Sequence, residues 1–141
     1  MNAPVPVGVV GSGFLAAHLV RFLATPGDLA VARVLTRRDP GDCAGFPAAD
    51  RLTRSIQTLI AESELIVECS GHPIWAAEVI DAALSASRPV VTMDSELHVT
   101  CGSALLERGA VLTEAGPTSR MESPTALAPA VRAVWRHSVV R

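Results

Sequence analysis

Gly11, Gly13 and Ala16 stand in the spacing Gly-x-Gly-x-x-Ala, directly after the apolar run Val7-Gly8-Val9-Val10. That pattern suits the holding of a pyrophosphate. Gly11 permits a tight turn, Gly13 lets the backbone approach the phosphates, and small Ala16 lets a helix sit close against the strand. A helix that starts near Gly13 offers its free N–H groups and positive dipole end to the anion, with Ser12, Phe14 and Leu15 completing the binding turn. A strand-to-helix turn that binds nothing can use the same residues, so the motif takes its weight from the chain around it.

The second chemical signal is Thr36-Arg37-Arg38. A site built for NAD usually places Asp or Glu about 20 residues beyond the glycines, to accept hydrogen bonds from the ribose hydroxyls. Thr36 occupies that position, and a carboxylate that would repel a 2′-phosphate is missing. Arg37 and Arg38 can cradle such a phosphate, so NADP is the expected cofactor and NAD the alternative. The plainer reading is that two adjacent arginines solubilise a loop. Ser70 and Gly71 follow another apolar run, Leu65-Ile66-Val67-Glu68-Cys69, and are candidates to line the nicotinamide end of the crevice. Glu68 is either a partnered buried group or a side chain in the crevice. His72 could act as a general base, but it precedes Pro73 at a helix entry, where capping duty is common. His18, His98 and His137 lack the spacing of a metal ligand set, and no catalytic residue is assigned.

The elements that must position these groups alternate between strand and helix. Val5 to Val10 is continuous and β-branched, as in a parallel strand buried on both faces. Leu15, Leu19, Phe22 and Leu23 then recur at helical spacing as far as the turn cluster Thr25-Pro26-Gly27-Asp28. Leu29 to Leu35 predicts a second strand, Asp39-Pro40-Gly41-Asp42 a turn, and Leu52-Thr53 a short third strand. Ser55 caps an expected helix through Ala61, with Ile56, Leu59 and Ile60 on its buried side. Strand Leu65 to Cys69 follows, then a helix from Ile74 to Ala86 with Ile74, Ala77, Ile80, Ala83 and Leu84 as its apolar face. Pro89 to Met93 predicts the next strand, Asp94-Ser95-Glu96 a cap, and Val111 to Glu114 the last strand. Strand and helix repeating with short connections predict a doubly wound parallel α/β sheet of Rossmann type, in one domain.

Bulk properties agree with one such domain. The chain has 141 residues, 49% of them apolar, and a formal net charge of −2. A sizeable core is available. No basic run suggests a nucleic-acid surface, no run of about 18 apolar residues suggests a membrane span, and the first residues lack a secretory leader. Cys43, Cys69 and Cys101 are widely spaced and odd in number, so reduced thiols in the cytoplasm are expected, with no metal.

Gly11-Ser12-Gly13-Phe14-Leu15-Ala16, Leu35-Thr36-Arg37-Arg38, Val67-Glu68-Cys69-Ser70-Gly71 and Val90-Val91-Thr92-Met93 together resemble the NAD(P)-binding domain of the homoserine dehydrogenase group. The similarity is closest to homoserine-dehydrogenase-like oxidoreductases that carry a SAF domain, through Leu97-His98-Val99-Thr100 and Gly102-Ser103. It runs from Val5 to about Ala115. Two departures stand out. Met93-Asp94-Ser95 replaces the Ala-Asn-Lys of classical homoserine dehydrogenases, so homoserine is not the expected substrate. The group also takes its substrate pocket from a following domain, for which the residues after Glu114 are too few.

The resemblance implies an NAD(P)-binding domain over residues 1–115 and a tail over 116–141. The tail carries Pro117, Pro124 and Pro129, then a short basic amphipathic segment around Val131 to His137. It is either a non-native continuation of a truncated chain or a helix whose Leu127, Val131 and Trp135 cover the sheet or a partner in a homo-oligomer. The implied activity is hydride transfer between nicotinamide and an alcohol or carbonyl, on a small-molecule substrate if a catalytic domain is supplied. A non-catalytic NADP-binding module is the alternative. A methyltransferase is a third, disfavoured because its adenosyl cofactor has no 2′-phosphate for the arginines.

Overall fold

The computed structural model describes residues 3–92, 97, 103–105, 107 and 111–112. The expected cap at Asp94 to Glu96, the segment His98 to Gly102 and the tail 116–141 lie outside the described residues. Six strands form one parallel sheet in the order β3-β2-β1-β4-β5-β6. They span β1 Val5–Val10, β2 Leu29–Leu35, β3 Leu52–Thr53, β4 Leu65–Glu68, β5 Val90–Thr92 and β6 Val111–Leu112. Helices with described bounds are α1 Phe14–Leu23, α2 Ile56–Glu62 and α3 Pro73–Ser85, and Leu97, Ser103, Ala104, Leu105 and Glu107 are also helical. The chain builds outward from β1 to β3, then returns to the other side of β1 with β4. That reversal makes the carboxyl ends of β1 and β4 the switch point where such sheets hold ligands.

Two apolar layers sandwich the sheet. On one face α1 packs Ala16, Leu19, Val20 and Leu23 against Val7, Val9, Val34, Leu65, Val67 and Val91. On the other, α2 and α3 contribute Leu59, Ala76, Val79, Ile80 and Ala83 against Val10, Leu35, Ile66 and Val90. Burial on both faces explains why the strands are continuous in apolar residues rather than alternating. Gly8 is the point of closest approach: a Cβ there would come within 2.9 Å of Leu59 Cδ1 and within 2.5 Å of Ser63 Oγ. The lack of a side chain lets α2 settle onto β1.

Local signals account for most boundaries. Ser55 Oγ accepts from Thr58 N–H at 3.1 Å and caps α2, satisfying an N–H that has no partner within the helix. Asp39 caps a short 3-10 turn over Pro40–Cys43 by accepting from Gly41 N–H at 2.9 Å. In α3 one expectation fails. Ile74, expected on the apolar face, is 90% exposed, and the buried stripe is Ala76, Val79, Ile80 and Ala83. That stripe follows the i, i+3, i+4, i+7 pattern, and Pro73 as the first helical residue puts Ile74 in the opening turn, away from the sheet. Leu59 alone is fully buried in α2, with Ile56 and Ile60 half-buried. Cys43 and Cys69 are buried free thiols. No helix among the described residues is long and apolar enough to cross a membrane.

Candidate functional site

The glycine turn links β1 to α1 at the switch point. Gly11 has φ +114°, in the region that favours glycine, and its N–H donates to Leu35 C=O at 2.8 Å. A Cβ at Gly11 would lie 2.9 Å from Ser70 Cα, so the turn leans directly on the loop after β4. Gly13 differs: a Cβ there would meet nothing within 4 Å. Its missing side chain leaves open floor above the start of α1, which is the space a pyrophosphate needs.

A cleft of about 380 Å³ opens over this floor, lined by Gly11, Ser12, Gly13, Arg37, Arg38, Ser70, His72 and Trp75. Six of the ten residues expected at a cofactor site therefore meet in one cavity. Phe14 lines a neighbouring cleft of about 350 Å³, which shares Ser12, Gly13 and Arg38 and adds Arg21, Asp42 and Phe46. Phe14 is 81% exposed, and its ring meets His18 edge-on at 4.2 Å. Leu15, Thr36 and Gly71 line neither cleft.

Thr36 is only 2% exposed, so its side chain is not an open ribose contact. Its hydroxyl instead shares a hydrogen bond with Ser12 Oγ at 2.7 Å and accepts from Arg38 N–H at 3.1 Å. It thereby ties the end of β2 to the glycine turn. The two arginines then part. Arg38 reaches back to donate to Ser12 C=O at 2.7 Å, whereas Arg37 Cζ sits 5.3 Å from the centroid of the Trp75 ring.

The opposite wall is fixed from beneath. Glu68 is fully buried at the end of β4, so of the two alternatives its side chain is the partnered group. Its Oε1 accepts from Ser70 N–H at 2.7 Å and from Ser70 Oγ at 2.5 Å, and its Oε2 accepts from Thr92 Oγ1 at 2.8 Å. Ser70 Oγ in turn accepts from His72 N–H at 3.2 Å. His72 caps α3 through its backbone, with its C=O accepting from Ala76 N–H at 2.8 Å. Burial, with the Glu68 carboxyl next to it, pushes the Cys69 thiol far above its ordinary range, so it stays protonated and is no nucleophile. Among the described residues no group of three His, Cys, Asp or Glu side chains could hold a metal ion.

Sequence reasoning missed Trp75 as a site residue. Its pairing with Arg37 joins two distant segments, and no local spacing announces it.

No family model matches the chain. Over 109 residues it is 32% identical to an L-aspartate dehydrogenase of Polaromonas; the match covers 74% of this chain and 40% of that protein, so the chain spans about two-fifths of the relative's length. A solved homoserine dehydrogenase from Thiobacillus denitrificans superposes with a TM-score of 0.65 at 21% identity, over 79% of this chain and 29% of that one. Biliverdin reductase from Synechocystis, solved with biliverdin and NADP+, gives a TM-score of 0.57 at 22% identity, over 78% of this chain and 37% of that one. At these identities the likeness shows the fold. The chain carries a Rossmann domain similar to those of homoserine dehydrogenase and related oxidoreductases, as its sequence resemblance leads one to expect.

Proposed function

We propose that this chain is the dinucleotide-binding part of an oxidoreductase that uses NADP in preference to NAD. The observation that carries the reading is the cleft at the switch point, with the open floor at Gly13 on one side and Arg38 bonded to the Ser12 carbonyl on the other. The residues present fit the group. Gly11, Ser12, Gly13 and the first turn of α1 hold the pyrophosphate through backbone N–H groups, with Phe14 and Leu15 supplying part of that turn. Arg38 stands with Ser12 where the ribose of the adenosine half lies, with no carboxylate in the cleft lining to oppose a 2′-phosphate. Thr36 acts one step behind, keeping Ser12 and Arg38 in register. Ser70, held in place by Glu68, closes the nicotinamide end, with Gly71 beside it in the same loop.

A bound nicotinamide supplies or accepts the hydride, and this chain's own residues bind it, orient it and exclude water from one side. The substrate is a small molecule received by a further domain, at the level of an alcohol or carbonyl. The likeness to an L-aspartate dehydrogenase favours a second reading, in which the substrate is an amino acid. The cytoplasm is the proposed compartment.

Parallel titration with NADPH and NADH, followed by thermal melting, tests the cofactor. A ligand at about 100 times its dissociation constant stabilises by roughly 2.7 kcal/mol, which is readily seen. NADPH is expected to stabilise more than NADH. Arg38→Ala removes charge-assisted bonds of about 1.5–3 kcal/mol and is expected to weaken NADPH about ten-fold or more, leaving NADH nearly unchanged. A cooperatively melting protein that binds neither dinucleotide overturns the proposal.

A further inference from the structure

Away from the dinucleotide cleft, a cavity of about 310 Å³ lies between the C-terminal half of α1 and the loop that leads into β3. Val20, Arg21 and the adjoining Ala24 line it on one side, Val31 of β2 beneath, and Pro47, Ala48 and Arg51 on the other. None of these residues lines the cleft that holds Gly11, Ser70 and Trp75. The volume is that of an ordinary small-molecule pocket. Ala48 takes φ +59°, a left-handed conformation that is costly for a residue with a side chain and persists only where the surroundings enforce it. The chain then runs through a 3-10 turn, Ala49–Arg51, in which Arg51 N–H donates to Ala48 C=O at 2.9 Å. Arg51 is thereby brought back over β2. Its Nη1 donates to Val31 C=O at 3.1 Å, at a point where Ala32 is an extra residue in the register with β1 and where β3, paired only with Val34 and Leu35, does not reach.

The chemistry of the lining is one-sided. Val20, Ala24, Val31, Pro47 and Ala48 are apolar, and the polar side chains are the guanidinium groups of Arg21 and Arg51. A guanidinium donates and never accepts. The Val31 carbonyl is already taken by Arg51. The Arg21 side chain is exposed and, among the described residues, makes no hydrogen bond or ion pair, so its donors are open to a ligand. Arg51 meets an acid only loosely, with Nε 3.8 Å from Asp50 Oδ2. Both arginines are exposed, whereas Val20 is buried and Val31 half-buried, so the charge lies at the mouth and the apolar surface at the floor.

We propose that this cavity binds a small apolar monocarboxylate, at a site separate from the dinucleotide cleft. An ionised carboxylate only accepts, which matches a lining whose side chains only donate, and a guanidinium fork takes both of its oxygens. The apolar body of the ligand covers the floor. A sugar phosphate or a dicarboxylate would set hydroxyls or a second charge against that floor without a partner. The site does not rest on the dinucleotide reading and stands or falls by its own test.

NMR titration of the isotope-labelled full chain with 3-phenylpropanoate, against 3-phenylpropan-1-ol as the neutral counterpart, tests the proposal. The acid should give saturable shifts at the amides of Ala24, Val31, Ala48 and Arg51, and the alcohol should bind about ten-fold more weakly. Saturating NADPH should not displace the acid. Arg21→Gln alters an exposed side chain without a bond, so the fold should be kept, while the acid weakens about five-fold and the alcohol is unchanged. Ala24→Leu, also at an exposed position, fills the mouth and should abolish the shifts with either compound. Equal affinity for acid and alcohol overturns the carboxylate assignment, because the guanidinium groups then contribute nothing. Displacement by NADPH places the acid in the cofactor cleft and overturns the separate site, while the dinucleotide reading stands. Unchanged binding in Ala24→Leu, or no saturable shift at those amides up to about 20 mM acid, overturns the site itself.

Discussion

Two turns leave the sheet side by side at its switch point, and they are built on opposite plans. The turn from β1 to α1 is open: a Cβ at Gly13 would touch nothing, and Ser12 offers its carbonyl to an arginine. The turn from β4 to α3 has equal space at Gly71, but it is tied down from within, its Ser70 N–H and hydroxyl both spent on a carboxyl group that has no exposure to solvent. One is shaped to receive a ligand and the other to stay still. A cleft between a receptive surface and a fixed wall can orient a long cofactor, because only one side must adapt to it.

Glu68→Ala should give the largest effect and tests the wall. Three donors, Ser70 N–H, Ser70 Oγ and Thr92 Oγ1, would face a cavity in place of their acceptor. At about 1 kcal/mol for each lost bond, plus the cavity, the loss of stability is expected to be roughly 4 kcal/mol. Glu68→Gln keeps one oxygen for Ser70, and Thr92 can turn its hydroxyl to accept, so the cost should fall to about 1 kcal/mol. Urea denaturation of the three proteins decides it. A Glu68→Ala loss under about 1 kcal/mol would show that the turn is not held from below and would erase the contrast.

The two glycines of the open turn sharpen the comparison. Gly11→Ala forces a side chain into φ +114° and against Ser70 Cα at 2.9 Å. Overpacking and backbone strain together should destabilise by about 2–3 kcal/mol. Gly13→Ala, at φ −88° with open space ahead, should leave stability within about 0.5 kcal/mol. Its methyl group instead occupies the pyrophosphate floor, and NADPH affinity should fall about ten-fold or more, roughly 1.4 kcal/mol. Equal melting losses in the two variants would mean that Gly13 is structural too.

How much of this was legible in the sequence depends on the range of the interaction. The strand Leu29–Leu35, the short Leu52–Thr53 and the cap at Ser55 follow local rules and stand where the pattern places them. The phase of α3 did not, because Ala76, Ala77, Ala82 and Ala83 blur the boundary between core and surface and made Ile74 look like a core residue. For Glu68, sequence offered two fates and could not choose, since Thr92, its partner across the strand pair, is supplied by a different strand. Thr36 stood at the ribose position by its spacing, but that spacing is silent on whether a hydroxyl faces outward or binds Ser12. The Arg37 to Trp75 stack was invisible for the same reason: it exists only once β2 and α3 are brought to one edge of the sheet.

A second carboxyl group shows that the fixed wall is a local device rather than the habit of the whole domain. Glu62, at the end of α2, pairs with Arg33 on β2 at 2.5 Å, and both side chains are substantially exposed, at 46% and 30%. The hydrogen bond from Arg33 holds the Glu62 carboxyl below its usual range, and the same bond raises Arg33. A group whose folded value is depressed adds stability above its unfolded value, and that contribution is lost as the pH falls through the folded value. The pair should therefore weaken only on the acid side, well below neutrality. Exposed pairs are strongly screened, so the effect should be the smallest of those considered and should fade in high salt. Melting temperature measured against pH for the wild type and Glu62→Gln checks this, with the variant's acid limb expected to be flatter at low ionic strength. Identical acid limbs would mean that Arg33 and Glu62 do not pair in solution.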